Sequence, residues 1–421
     1  MRGGTKLLTL SMIAAMLAGP LAAQLQVPGV PARVPPVGGV LGELTAQLDQ
    51  TVGEAKALSE REARRLLQLR ERTLETLLRA NPQAIELDGV GNLARRGELL
   101  ATGFAEPELA VLEQAGFRVL AREQIEGLDI AFARLAVPAG MTLAEGQERA
   151  EELVPDAQVE ADTLHLEAGA QRSPRPLPLA ATAAAATAAA FDVKIGVIDG
   201  GVGKAVPVSG QKGFAAGAPR ASNHGSAVAS LVQAQGGTRV WVADVYGTDP
   251  AGGNASAIAK ALGWLTANGC KVVTVSLVGP RGALLERAIT AAQAKGVVVV
   301  ASVGNDGPAA PPAYPASYQG VLAITGVDSK GRALIEAGRA LHLDYAAPGA
   351  GVFAPDANGK IKAWRGTSFA APLAAARVAA ALGSRGAWRA RLDAEARDLG
   401  PKGADKTYGR GLLCGSCASR R

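Results

Sequence analysis

Three side chains able to pass a proton between them, Asp199, His224 and Ser368, each stand where one backbone pattern gives way to another. Asp199 closes the apolar run Val193 to Ile198, which reads as a buried parallel strand. His224 opens a short helical run, Ser226 to Gln233, and Gly225 beside it allows close backbone approach. Ser368 precedes an alanine-rich helix, Phe369 to Leu382. Further apolar strands are expected over Lys271 to Leu277 and Val297 to Val300. Residues of about 191–413 are expected to form a doubly wound, mostly parallel α/β sheet with helices on both faces.

A carboxylate at a strand's C-terminal end lies at the sheet edge where α/β active sites gather. There it can accept the Nδ1 proton of a histidine and stabilise the imidazolium. A serine at a helix start carries its own backbone N–H, free to face an oxyanion. Taken singly, these residues have ordinary roles: a turn aspartate, an N-cap serine, a surface or core histidine. His165 and His342 lie in no interpretable motif and are read in that ordinary way.

Order and context separate the set from those roles. The segments Ile195-Gly196-Val197-Ile198-Asp199-Gly200-Gly201, Asn223-His224-Gly225-Ser226 and Gly366-Thr367-Ser368-Phe369-Ala370-Ala371-Pro372 resemble the subtilisin-like serine proteases, the subtilases. Their Asp…His…Ser order differs from the chymotrypsin and α/β-hydrolase orders. The resemblance implies a serine endopeptidase with Asp199, His224 and Ser368 as its triad. It implies that Asn305, in Ala301-Ser302-Val303-Gly304-Asn305-Asp306-Gly307, completes the oxyanion hole. It also implies that Ser276, Leu277, Val278, Ser302 and Gly304 line the substrate cleft. In subtilisin, a member of that family, losing the oxyanion amide costs about 3–4 kcal/mol of transition-state stabilisation.

The chain departs from the family in two places. Gly200 stands where Ser or Thr is usual, removing a hydroxyl beside Asp199, and Val278 stands where glycine is frequent, narrowing a subsite. The triad span is compact, so loops that hold calcium in some relatives are expected to be short or missing. No metal is assigned, and the chemistry needs no cofactor. The rival reading is a catalytically inactive, peptide-binding relative. A lipase or esterase is excluded because Ser368 does not lie in Gly-x-Ser-x-Gly. Nucleotide binding at Gly200-Gly201-Val202-Gly203-Lys204 fails because Ala205 stands where a P-loop needs Ser or Thr.

An apolar fraction of 48% with 19% charged residues describes a foldable globular chain, and 421 residues suggest two or three domains. The net charge of +6 is spread out, with no basic run interleaved with aromatics, so a nucleic-acid partner is not expected. Residues 1–23 read as a secretory signal: Arg2 and Lys6, then the apolar Leu7 to Leu17, then a small-residue exit ending at Ala23. No membrane span is expected after its removal, so the protein is expected to be exported, periplasmic or extracellular. An exported chain can oxidise Cys414 with Cys417, or either with Cys270, leaving one thiol over.

Residues 24–96 hold a Pro/Gly-rich stretch and a helical segment over about Leu41 to Ala80, with Leu67, Leu74 and Leu78 on one face. Residues 97–167 change to a βαββαβ pattern: strands Glu98 to Thr102, Phe117 to Gln124, Ile130 to Val137 and Gln158 to Leu166, with helices Glu106 to Ala115 and Met141 to Leu153. Pro107 sits in the first turn of one helix; Thr142 and Glu145 form a capping pair at the other. That order is ferredoxin-like α+β, and it resembles the subtilase propeptide. The resemblance implies an intramolecular inhibitor whose C-terminal tail enters the cleft, beside the protein or peptide substrates expected as partners. A low-complexity linker, 168–190, could span about 75 Å at about 3.3 Å per residue, and a processing site is expected in it. A Cys-containing tail, 414–421, ends the chain.

Overall fold

The structure, a computed structural model, describes residues 60–168, 190–384, 386–415 and 417. The expected leader, the first part of the N-terminal helical segment and nearly all of the linker lie outside these residues. Residues 60–80 form the first described helix, α1.

An antiparallel sheet follows, from β1 (Ile85–Leu87), β2 (Leu93–Thr102), β3 (Arg118–Ile125), β4 (Ile130–Ala136) and β5 (Gln158–Thr163). β2 pairs with β1, β4 and β5, and β4 pairs with β3. Helices α2 (Glu106–Gln114) and α3 (Leu143–Leu153) connect its strands. The Thr142 hydroxyl accepts the Glu145 N–H at 3.2 Å, and the Glu145 carboxylate accepts the Thr142 N–H at 2.8 Å, which fixes the start of α3.

Both faces of this sheet are covered. Leu99, Ala101, Ala133 and Leu135 pack with Leu109, Leu112 and Leu143 of its own helices. The alternate residues, including Leu100, Ile125 and Phe132, join the core of the C-terminal region. Period-two alternation decides which side chain goes to which layer.

The second layered unit is a seven-stranded, all-parallel sheet in the order β14-β13-β12-β10-β7-β9-β8. Its strands are β7 (Ile195–Asp199), β8 (Gly210–Gly213), β9 (Val240–Asp244), β10 (Val272–Val275), β12 (Val298–Ser302), β13 (Leu322–Val327) and β14 (Tyr345–Pro348). Two short strands, β6 (Leu166–Glu167) and β11 (Leu277–Val278), pair outside it, and β15 (Ala350–Pro355) pairs with β16 (Ile361–Arg365).

Helices α4 (Asn223–Ala234) and α7 (Thr367–Leu382) share one core with Val197, Val272 and Val300. Helices α5 (Ala255–Ala267) and α6 (Ala283–Ala294) share the other with Ile198, Val273 and Val299. Neighbouring strand residues thus feed opposite faces, as a doubly wound sheet requires. A short helix, α8 (Trp388–Glu395), follows α7. Cys414 and Cys417 are bridged, while Cys270 is a buried free thiol that burial pushes up to about 12. Among the described residues no helix is long and apolar enough to cross a membrane.

Candidate active site

The site forms where β7, α4 and α7 meet. Asp199 is the last residue of β7 and is fully buried. One carboxylate oxygen accepts the Gly200 N–H at 2.7 Å, and both lie 2.9 Å from His224 Nδ1. A carboxylate held this way fixes the tautomer with the proton on Nδ1 and leaves Nε2 as the base.

His224 occupies the first turn of α4 because Ser222 is its N-cap, accepting the N–H groups of His224 and Gly225. Phe369 packs its ring against the imidazole, centroids 5.2 Å apart. Burial works against the imidazolium, but the carboxylates of Asp199 and then Glu167 outweigh it and hold His224 at about 9.

Ser368 lies in the first turn of α7, after Gly366 at a φ of 139°. Its hydroxyl donates to the Ser276 carbonyl at 3.4 Å, and His224 Nε2 has no hydrogen-bond partner. The Ser276 hydroxyl donates to the Ser368 carbonyl at 2.9 Å, tying β11's approach to α7. Asn305 is oriented by its Oδ1, which accepts the Thr367 N–H at 2.9 Å. Its Nδ2 is buried and unpartnered, a donor free to meet an oxyanion next to the backbone N–H of Ser368.

The cleft holds the protein's own chain. β6 runs antiparallel to β11, pairing Leu166 with Val278 and Glu167 with Leu277. The Ala168 N–H then donates to the Ser276 carbonyl at 2.9 Å. The Ala168 carbonyl oxygen and Asn305 Nδ2 both face the Cα of Gly366, where a Cβ would lie 3.3 Å and 3.1 Å from them.

The residues expected to line the cleft differ in what they present. Ser276 meets this tail through its backbone carbonyl, its hydroxyl going to Ser368, while Val278 lines the same cavity as Leu166, Glu167 and Ala168. Leu277 offers it backbone only, its side chain being sunk in the core. Ser302 is fully buried at the end of β12 with its hydroxyl unpartnered. Gly304 accepts the Thr367 hydroxyl on its carbonyl at 3.0 Å.

His165, read from sequence as an ordinary surface or satisfied core residue, is instead part of this tail. It is fully buried against Gly279 with both ring nitrogens unpartnered, and burial lowers its pKa to about 4. His342 fits its ordinary reading, with Nε2 2.8 Å from the Val321 carbonyl. Sequence reasoning also passed over Ser222; a serine just before a helical run is an N-cap signal that would have marked it.

The helix α1 closes over the tail. Leu66, Leu69, Arg70 and Leu74 line the same cavity as Val278, Ala168 and Asn305. Arg70 reaches Asp306, next to Asn305, at 3.2 Å.

Residues 192–411 match the sequence model of the Subtilase family, Peptidase_S8. Subtilisin DY of Bacillus licheniformis is 33% identical over 251 residues, covering 53% of this chain and 89% of that one. Subtilisin of Bacillus pumilus is 29% identical over a stretch of the same length and coverage. Among solved structures, fervidolysin from Fervidobacterium pennivorans, a keratinolytic enzyme related to subtilisin, shares the fold at a TM-score of 0.63 and 19% identity. That match covers 79% of this chain and 62% of fervidolysin. With the matched segment containing Asp199, His224, Asn305 and Ser368 in one site, the chain belongs to the subtilase family of serine proteases.

Proposed function

We propose that the protein is an exported serine endopeptidase made as a zymogen, which cuts its own chain after Ala168. The observation that carries this reading is the pairing of β6 with β11, which lays Ala168 at the triad in the manner of a bound peptide. Ser368 attacks the peptide carbonyl while His224 Nε2 takes its proton, and Asp199 stabilises the imidazolium. Asn305 Nδ2 and the Ser368 N–H hold the oxyanion; His224 returns the proton to the leaving amine. Water, activated by His224, then releases the acyl group. No cofactor enters the sequence. Residues 85–168 act as the inhibitory propeptide, supported by the burial of one face of their sheet on α5 and α6.

One observation favours the inactive, peptide-binding alternative: the Ser368 hydroxyl hydrogen-bonds the Ser276 carbonyl and not His224 Nε2. A single experiment separates the two readings. Wild type and Ser368→Ala are compared by intact mass, N-terminal sequencing and a serine-directed covalent probe. The zymogen reading expects wild type to begin at Gly169 and to label at Ser368, with the variant uncut. Uncut, unlabelled wild type would favour the binding protein.

A further inference from the structure

Glu167 of the tail puts its carboxyl group beside the catalytic pair: Glu167, Asp199 and His224 each offer an atom within 4.8 Å of the others. Ser222, whose hydroxyl accepts the His224 and Gly225 N–H groups, lines the same cavity as Glu167. Space for this arrangement comes from Gly200. A Cβ there would stand 2.6 Å from Ser222 Cβ and 2.8 Å from its Oγ, too close for Ser222 to stay where it is, and 3.9 Å from the Glu167 carboxylate. The departure at Gly200 and the Ser222 cap are therefore one feature, opening onto a cavity of about 410 Å³ shared with Arg220, Asp244 and Tyr246.

We propose that Gly200, Ser222 and His224 form a subsite selecting a glutamate immediately before the residue whose carbonyl Ser368 attacks. The inference rests on the peptidase reading and names its substrate class: peptides with an acidic residue followed by a small one, as in this chain's own Glu167-Ala168. Burial and the Asp199 and Asp244 carboxylates oppose a charge on Glu167, while His224 and Ser222 favour it. His224, held at about 9 with Asp199 and Glu167 beside it, is already positively charged with the tail docked. A glutamate here therefore pairs with it in binding as well as in the transition state, and such an interaction raises kcat/KM.

The test uses the full chain after self-processing and three chromogenic peptides, acetyl-His-Leu-X-Ala with X as Glu, Gln or Leu. The expected result is a kcat/KM at least about tenfold higher for Glu than for Gln or Leu. In Gly200→Ser the same ratio should fall to within about threefold, each enzyme serving as its own reference. Equal cleavage of all three peptides by wild type overturns the subsite and leaves the peptidase reading standing. A high ratio unchanged in Gly200→Ser overturns the assignment to Gly200 and Ser222. Cleavage of none removes the peptidase reading and the subsite together. Should Gly200→Ser fail to fold, the wild-type panel decides alone.

Discussion

At the scale of single residues the site is defined by two unspent hydrogen-bonding groups, His224 Nε2 and Asn305 Nδ2, both buried without a partner. Buried polar atoms normally find partners, since leaving one unmade costs roughly 1–3 kcal/mol. Here both cluster around Ser368, where a developing oxyanion and a migrating proton would use them. Asn305→Ala should lower kcat by roughly 10²–10³-fold with little change in KM, the size established for the matching residue of subtilisin. Steady-state kinetics on a peptide substrate checks this; a change in KM alone would point to a ground-state binding role.

At the scale of elements, the Asp199–His224 pair depends on how closely α4 can approach β7. The α hydrogen of Gly225 points at the Gly200 carbonyl, and a Cβ placed there would overlap that oxygen. Backbone cannot yield as a flexible side chain can, so α4 would have to move and take His224 with it. Gly225→Ala should destabilise by about 1–3 kcal/mol, as overpacking does. The rate of covalent labelling at Ser368 should fall far more than that stability loss implies. A urea midpoint and a labelling rate measured on one preparation test this; an unchanged labelling rate would mean that α4 tolerates the shift.

For the whole molecule, seating of the N-terminal unit is electrostatic as well as apolar. Glu160 of β5 accepts the Ala283 and Leu284 N–H groups at the start of α6, and Asp162 accepts the Ser256 N–H and hydroxyl at the start of α5. Carboxylates there meet the positive ends of two helices. Burial nonetheless raises the pKa of Glu160, Asp162 and Glu167, so their contribution to seating weakens as pH rises through those raised values. Arg287 favours the charge on Glu160, as Arg95 does for Asp162, while Glu98 opposes it for Asp162.

His165 works in the opposite direction. Its pKa falls from 6.5 to about 4 because burial disfavours the imidazolium. Its contribution is complete above about 6.5 and is lost as pH falls through about 4, amounting to roughly 3 kcal/mol at most. The difference between wild type and His165→Leu isolates it from the carboxylates. After processing, wild type should lose the N-terminal fragment more readily than the variant as pH drops from about 6.5 to 4, read by size exclusion. A difference that stays flat across that range would discount His165.

Local sequence was enough to place most strands and helices to within a few residues and to read the Asp…His…Ser order, because buried parallel strands are continuous apolar runs and caps carry short polar signals. Asp199 at the end of β7 and the Thr142–Glu145 capping pair were both legible in this way. Tertiary structure decided what depends on separate segments meeting. Leu277, expected at the cleft, turns its side chain into the core because strand alternation sends it there, and meets the tail through its backbone alone. His165 and Glu167 look like unremarkable polar residues along the chain. Only the docking of β5 on α5 and α6, which carries β6 onto β11, brings one into a dry pocket and the other against His224.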